Sequence, residues 1–270
     1  MIRLLTSLTK KKIIVPFYHT VAEQPLPHIK HLYRMKTVEE FQKDLDFLLR
    51  YFKPIDVETL YTLHINKTVP EKPVFHLTFD DGMKEIYEIV APILLEKGIP
   101  ATFFFNSGFV DNKALFYRHR ESLERERGDS CDRCDRKDDE FLEQDKPYLT
   151  TEQIKELSNN GFTFGAHSID HPYYFKVPLV EQLRQTRESL DFVSSIINQK
   201  LRLFAFPFTD YQVSQQFFNE IEPDVDLCFG TAGLKNDGIP FNIQRIAGEK
   251  RTYESLERIL GKEYLKYLVK

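Results

Sequence analysis

Two adjacent carboxylates, Asp80 and Asp81, end the apolar and aromatic run of residues 74–79 and are followed by Gly82. An apolar run that stops at a glycine is typical of a buried strand, and here its end carries polar side chains. Two carboxylates at one strand end repel each other unless a cation or a shared proton relieves their charge. The motif therefore predicts a nearby cation, although an acidic turn without an ion is the alternative for these residues taken alone.

A pair of histidines, His167 and His171, follows a second strand candidate at residues 162–166. Neutral imidazole and carboxylate are ligands of zinc and related divalent ions, and two histidines with one carboxylate leave positions open for water or substrate. A lone histidine is usually an ordinary hydrogen-bonded group, but this pair together with the aspartates favours a metal centre. If Asp81 is a ligand, Asp80 beside it could accept a proton from a water made acidic by the ion.

Strands and helices alternate along the chain, which predicts a parallel α/β architecture with the strand ends on one face. Capping boxes at Thr37 and Thr150, and a capping aspartate at Asp56, mark three helix starts. Pro92 predicts a bend in one helix, and Pro16 predicts that the first strand lies at an edge or an opening. The predicted strands are residues 13–17, 74–79, 101–105, 162–166, 203–206, 227–231 and 243–246, and the predicted helices are residues 38–52, 56–63, 84–97, 150–161, 179–197, 213–221 and 253–268.

Residues 111–146 interrupt this alternation with dense, mixed charge. Such a segment is typical of a solvated helix or loop, so we expect a charged surface insertion within a single domain spanning residues 1–270. Cys131 and Cys134 form a C-x-x-C motif that could bind zinc or act as a redox pair. Because no second motif and no histidine pair lies near it, we do not expect a metal site there.

Composition and charge narrow the class of protein. The formal net charge of −4 gives no general basic field, so no nucleic-acid partner is expected. The first twelve residues place their lysines after a short apolar patch, which is the wrong order for a secretory signal. We therefore expect a solvated terminus, with contact to a membrane surface as the alternative. No apolar run approaches the roughly 20 residues that span a bilayer, so no transmembrane segment is expected. Cysteine is scarce, at three residues, which implies no disulfide framework, and we expect a cytoplasmic protein.

Three ordered motifs, TFDDG at 78–82, HSIDHP at 167–172 and FPF at 206–208, resemble those of the polysaccharide deacetylases, carbohydrate esterase family four. The resemblance extends from about residue 13 to about residue 250 and implies a distorted, incomplete (β/α) barrel with about seven strands. It also implies that the protein removes acetyl groups from an N-acetylated (or O-acetylated) sugar or polysaccharide by attack of a metal-bound water. The metal is expected to be zinc, with nickel, cobalt or iron as alternatives.

The resemblance assigns a role to each site residue. It implies Asp80 as the general base, and Asp81, His167 and His171 as the metal ligands. The backbone N–H of Phe208 is expected to help stabilise the tetrahedral oxyanion.

The chain departs from the family pattern at two places. Many members have an arginine before the proline of the third motif, but here Ala205 and Phe206 occupy that region, so another group must orient the base. No histidine follows His171 to serve as the late general acid. The segment YHTV at 18–21 instead resembles the early motif of the poly-N-acetylglucosamine deacetylases, which implies His19 as the acid.

These departures leave two other classes open. A catalytically silent carbohydrate-binding protein could keep the pocket and its ion, and a structural zinc protein could need the ion for folding alone. Intact Asp80 and His19 favour the enzyme.

Overall fold

Eight parallel strands form the main sheet of the computed structural model, which describes residues 1–128, 134–249 and 254–268. The strands along the chain are β1 (Ile13–Ile14), β2 (Pro16–Tyr18), β3 (Lys53–Pro54), β4 (Val74–Phe75), β5 (Leu77–Phe79), β6 (Ala101–Phe105), β7 (Thr163–Ala166), β8 (Leu203–Ala205), β9 (Leu227–Gly230), β10 (Asn242–Gln244) and β11 (Ile246–Ala247). The main sheet has the order β10-β9-β8-β7-β6-β5-β2-β11, and β1, β4 and β3 form a smaller sheet. The predicted parallel α/β class is confirmed.

The two ends of the main sheet are consecutive in the chain. β10 pairs with β9 at one end, β11 pairs with β2 at the other, and Arg245 alone separates β10 from β11. The Arg245 N–H donates to the Gly230 carbonyl at 3.1 Å, and the next N–H, of Ile246, donates to the Val15 carbonyl at 2.9 Å. The chain therefore crosses from one end of the sheet to the other within one residue. This nearly closed sheet confirms the distorted (β/α) barrel.

The first predicted strand is divided at Val15, and its halves β1 and β2 enter different sheets. Pro16 is the first residue of β2, where a missing N–H is tolerated. β2 is paired on both sides, with β5 and with β11. The expected edge position therefore holds for β1, which lies at one edge of the smaller sheet, but not for β2, because the proline marks a break between two strands.

Helices surround the sheet: α1 (Ile2–Thr9), α2 (Val38–Tyr51), α3 (Val57–Ile65), α4 (Ala91–Lys97), α5 (Tyr117–Arg127), α6 (Cys134–Gln144), α7 (Thr151–Asn159), α8 (Leu179–Ile196), α9 (Gln215–Ile221) and α10 (Leu256–Leu268). The capping boxes of α2 at Thr37 and of α7 at Thr150 are present, and the Asp56 side chain caps α3. The bend expected at Pro92 is a short π-helix, Ile86–Val90, that passes into α4. No helix in these described ranges is both long enough and apolar enough to cross a bilayer.

Two parts of the chain differ from expectation in how they pack. The first residues form α1, with Ile2 and Leu5 buried in the core, so the prediction of a solvated terminus was wrong. The charged segment 111–146 contains α5 and α6, and it also contributes Leu123 and Phe141 to the core. The C-x-x-C motif at 131–134 extends outside the described residues.

The barrel core is built mainly from phenylalanine, in which the chain is rich, with 23 Phe and no Trp. Phe79, Phe103 and Phe164 on successive strands are fully buried. Because β5, β7 and β2 are parallel, the residues that follow them emerge at the same end of the barrel. The fold thus brings the segments after Tyr18, Phe79 and Ala166 together.

Candidate metal and catalytic site

The three predicted metal ligands lie together at the carboxyl ends of β5 and β7. Asp81 Oδ1 is 3.5 Å from His167 Nε2 and 3.2 Å from His171 Nε2. One candidate ligand atom from each residue lies within 4.8 Å of the others, and all three residues are buried. Asp81 and His171 adopt left-handed backbone conformations, with φ of 69° and 63°. The tight turns after both strands are what direct these side chains to one point.

The hydrogen bonding of this triad fits a divalent cation. His167 Nδ1 lies 2.8 Å from the Ala205 carbonyl, which can only accept, so the ring donates there and its Nε2 lone pair faces Asp81. Burial lowers the pKa of His171, which favours a neutral imidazole at that position. Asp81 Oδ1 is buried, and although both Nε2 atoms lie within 3.5 Å of it, it has no well-formed hydrogen bond within the described chain. Lone pairs facing one another in this way are unfavourable unless a cation lies between them, and the nitrogen and oxygen donors suit zinc, nickel, cobalt or iron.

Asp80, the predicted base, is held by a guanidinium from the other end of the sheet. Arg245 Nη1 and Nη2 donate to the two carboxylate oxygens of Asp80 at 2.7 and 2.8 Å. Burial raises the pKa of Asp80, but the charge and hydrogen bonds of Arg245, together with the neighbouring His167 and His19, outweigh burial, so the pKa is below the usual range. Arg245 thus supplies the orienting arginine that is missing before Pro207. Its signal in the sequence is a lone arginine inside an otherwise strand-like segment, NIQRI.

His19, the predicted acid, is paired with Glu249. His19 Nδ1 lies 2.6 Å from Glu249 Oε1, and the His19 backbone N–H donates to the same oxygen at 2.5 Å. Burial lowers the pKa of His19, but the hydrogen bond to Glu249 and the charges of Glu249, Asp81 and Asp80 outweigh it and raise the pKa to about 9. The imidazole is therefore protonated at neutral pH. Sequence reasoning missed Glu249 because it lies 230 positions from His19.

Phe208 lines a cavity that also contains the predicted metal ligands. Its φ is 58°, and its N–H donates no hydrogen bond to the residues that the structure describes. Its ring contacts His171 edge-on, with centroids 4.4 Å apart. The cavity, of about 270 Å³, is lined by all six predicted site residues, which are His19, Asp80, Asp81, His167, His171 and Phe208. Arg118 and His119 of α5 also line it, although the sequence predicted their segment to be a surface insertion.

The fold and the motifs identify the family of the chain. The family model described as polysaccharide deacetylase matches residues 67–218, which is more than half of the chain. The protein therefore belongs to the polysaccharide deacetylase family, as its motifs predicted.

Individual relatives are distant in sequence. The putative polysaccharide deacetylase YxkH of Bacillus subtilis (strain 168) is 22% identical over 142 residues, 53% of this chain and 39% of that protein. The chain thus spans about two fifths of the length of this relative.

Solved structures resemble nearly the whole chain. The Streptococcus pyogenes deacetylase PplD in complex with acetate is 22% identical, with a TM-score of 0.68 over 93% of this chain and 97% of that one. IcaB from Ammonifex degensii is 18% identical, with a TM-score of 0.69 over 94% and 97% of the two chains. At this level of identity, both structures support the fold.

Proposed function

We propose that the protein is a metal-dependent hydrolase that removes acetyl groups from an N-acetylated or O-acetylated carbohydrate. The observation that carries the proposal is one cavity in which a buried Asp–His–His set lies beside an oriented carboxylate and a histidine paired with Glu249. Family membership supports a carbohydrate substrate. In this proposal Asp81, His167 and His171 hold the ion.

Asp80 acts on the oxygen of the attacking water, and the Phe208 N–H acts on the carbonyl oxygen of the acetyl group. A divalent ion held in the site would supply Lewis acidity, which would polarise the acetyl carbonyl and lower the pKa of water. Asp80, fixed by two hydrogen bonds from Arg245, accepts the proton from the water that attacks the carbonyl carbon. The Phe208 N–H donates to the oxygen on which negative charge develops.

His19 completes the reaction as the general acid. The leaving amine or alcohol needs a proton as its bond to the acetyl carbon breaks, and protonated His19 donates it. Glu249 fixes the ring through Nδ1, so Nε2 is the nitrogen that carries the transferable proton. His19→Ala is expected to lower the rate about 10²- to 10⁴-fold.

The rival function is a silent carbohydrate-binding protein that retains the ion. Two features favoured it: the missing arginine before Pro207 and the missing late histidine. The contact of Arg245 with Asp80 supports an oriented base and so weakens the first of these. The early histidine, His19, with its Glu249 partner, weakens the second.

Acetate release from N-acetylglucosamine oligomers tests the proposal. Purified protein is stripped with a chelator and then supplied with zinc, nickel, cobalt or iron(II). We expect acetate release that requires the ion and that Asp80→Asn removes while leaving the bound metal in place. Oligomer binding without acetate release, with every ion, would instead support the silent binding protein. Loss of folding on chelation, with no acetate release, would support a structural metal.

A further inference from the structure

Two cations flank an aromatic pair beside the site cavity. The rings of Tyr173 and Phe208 stack with centroids 3.7 Å apart and 6° between their planes. The guanidinium carbon of Arg118 lies 5.5 Å from the Phe208 centroid, and Lys176 Nζ lies 4.5 Å from the Tyr173 centroid. Arg118 and Phe208 line the cavity that holds the predicted metal ligands. Positive charge therefore lies next to an aromatic surface at the site where the carbohydrate would bind.

Neither cation has an acidic partner in residues 1–128, 134–249 and 254–268. No carboxylate oxygen in these ranges forms an ion pair, within 4.0 Å, with Arg118 or Lys176. Arg184, Arg187 and Arg202, by contrast, all pair with aspartate or glutamate on the surface. The chain has 41 acidic and 37 basic residues, so a shortage of acids does not explain the difference.

We propose that Arg118 binds a carboxylate or phosphate group of the carbohydrate, on or next to the sugar whose acetyl group is removed. The assignment rests on the proposed function, because it names a substrate class for the same site. A guanidinium presents its N–H groups in a planar fork that matches both anions with two parallel hydrogen bonds.

Lys176 has a secondary part in this assignment. It is exposed, and its ammonium group lies over Tyr173, on the ring that stacks against Phe208. An exposed charge acts through solvent over about 8 Å at physiological ionic strength, so Lys176 attracts the anionic carbohydrate without fixing its position. Salt should therefore weaken the contribution of Lys176 more than that of the half-buried Arg118.

Calorimetric titration with three β-1,4-linked N-acetylglucosamine tetramers tests the assignment. One tetramer is neutral, one carries a 6-carboxylate and one carries a 6-phosphate. We expect the wild type to bind a charged tetramer about 10- to 100-fold more tightly than the neutral one, and Arg118→Gln to bind all three with similar affinity. Whichever charged tetramer is preferred identifies the anion.

Arg3→Gln is the matched control. Arg3 also lies over an aromatic ring, 5.8 Å from the Tyr51 centroid, but it does not line the cavity. This variant should keep the preference of the wild type. If Arg118→Gln does not fold, Arg118→Lys keeps the charge but not the planar fork, and it should lose part of the preference.

Acetate release from the same tetramers separates this assignment from the proposed function. In the wild type we expect the charged tetramer to have the lower KM, with the difference lost in Arg118→Gln. A preference for the anion that depends on Arg118, without acetate release from any tetramer, would keep this assignment and overturn the proposed function. A wild type without the preference, or an Arg118→Gln or Arg118→Lys variant that retains all of it, would overturn the assignment whether or not acetate is released.

Discussion

Replacing Arg245 with methionine should destabilise the protein by several kcal/mol at neutral pH. The guanidinium donates to Asp80 at 2.7 and 2.8 Å, and to Thr78 Oγ1 and the Gly230 carbonyl, each at 3.2 Å. The side chains of Arg245 and Asp80 are 0% and 3% exposed. Methionine has a similar length but leaves the carboxylate buried without a cation. Removing one partner of a buried ion pair costs about 3–5 kcal/mol.

This cost should depend on pH. In the intact protein the pKa of Asp80 is lowered, because Arg245, with smaller contributions from His167 and His19, outweighs the effect of burial. The pair therefore contributes stability above the unfolded pKa of about 3.9, and that stability is lost as the pH falls through the folded pKa. Without Arg245, burial should raise the pKa of Asp80, so that protonation relieves the charge in mildly acidic solution. We expect the Arg245→Met variant to lose more stability at pH 8 than at pH 5.

Urea unfolding of the metal-free protein, followed by circular dichroism at both pH values, measures the effect. Arg187→Met is the control, because Arg187 lies 2.8 Å from Asp224 but in an exposed pair, and its loss should cost less than about 1 kcal/mol. Adding Asp80→Asn to Arg245→Met removes the unpaired charge and should restore about 1–3 kcal/mol. Two results would refute this account of Asp80. One is an Arg245→Met variant as stable as the wild type at pH 8, and the other is a double variant no more stable than the Arg245→Met single variant.

Three further predictions concern the metal, the acid and a buried glutamate. Asp81→Ala should reduce bound zinc from one equivalent towards none, measured by metal analysis after gel filtration; a full equivalent in the variant contradicts the ligand assignment. Glu249→Gln should lower the pKa of His19. The alkaline limb of the pH profile of kcat/KM, which we expect above the ordinary histidine pKa of about 6.5, should therefore move to lower pH. A limb that does not move excludes this role for Glu249. Burial raises the pKa of Glu85 from 4.5 to about 7, so the native state loses stability as pH rises through this range. Glu85→Gln should therefore be more stable than the wild type by up to about 3 kcal/mol at pH 8 and by little at pH 4; an equal effect at both pH values contradicts this cause.

The elements that the sequence predicted well are those set by local residues. The helix caps at Thr37 and Thr150 depend on contacts over three positions, and both are present. The strand over residues 101–105, ATFFF, is a run of small, β-branched and aromatic residues, and its bounds match β6. The motifs around Asp81 and His167 could be located because each combines several residues of fixed type within a few positions.

The features that the sequence did not reveal depend on distant pairing. Arg245 meets Asp80 across 165 positions, and Glu249 meets His19 across 230. Neither pair has a fixed local spacing, because closure of the sheet brings the partners together. The same is true of Arg118, whose charge-rich surroundings are typical of a solvated surface, although the fold turns the start of α5 towards the cavity.

Arg245, the residue that joins the two ends of the main sheet, links activity to the order in which the chain is synthesised. The three predicted metal ligands are complete once residue 171 has been made, whereas Arg245 and Glu249, the partners of the base and the acid, both come from the last tenth of the chain. A nascent or C-terminally truncated chain could thus contain every metal ligand and still have no oriented base and no raised histidine pKa. Catalytic competence would then arise at the end of folding, when the last strands join the two ends of the sheet.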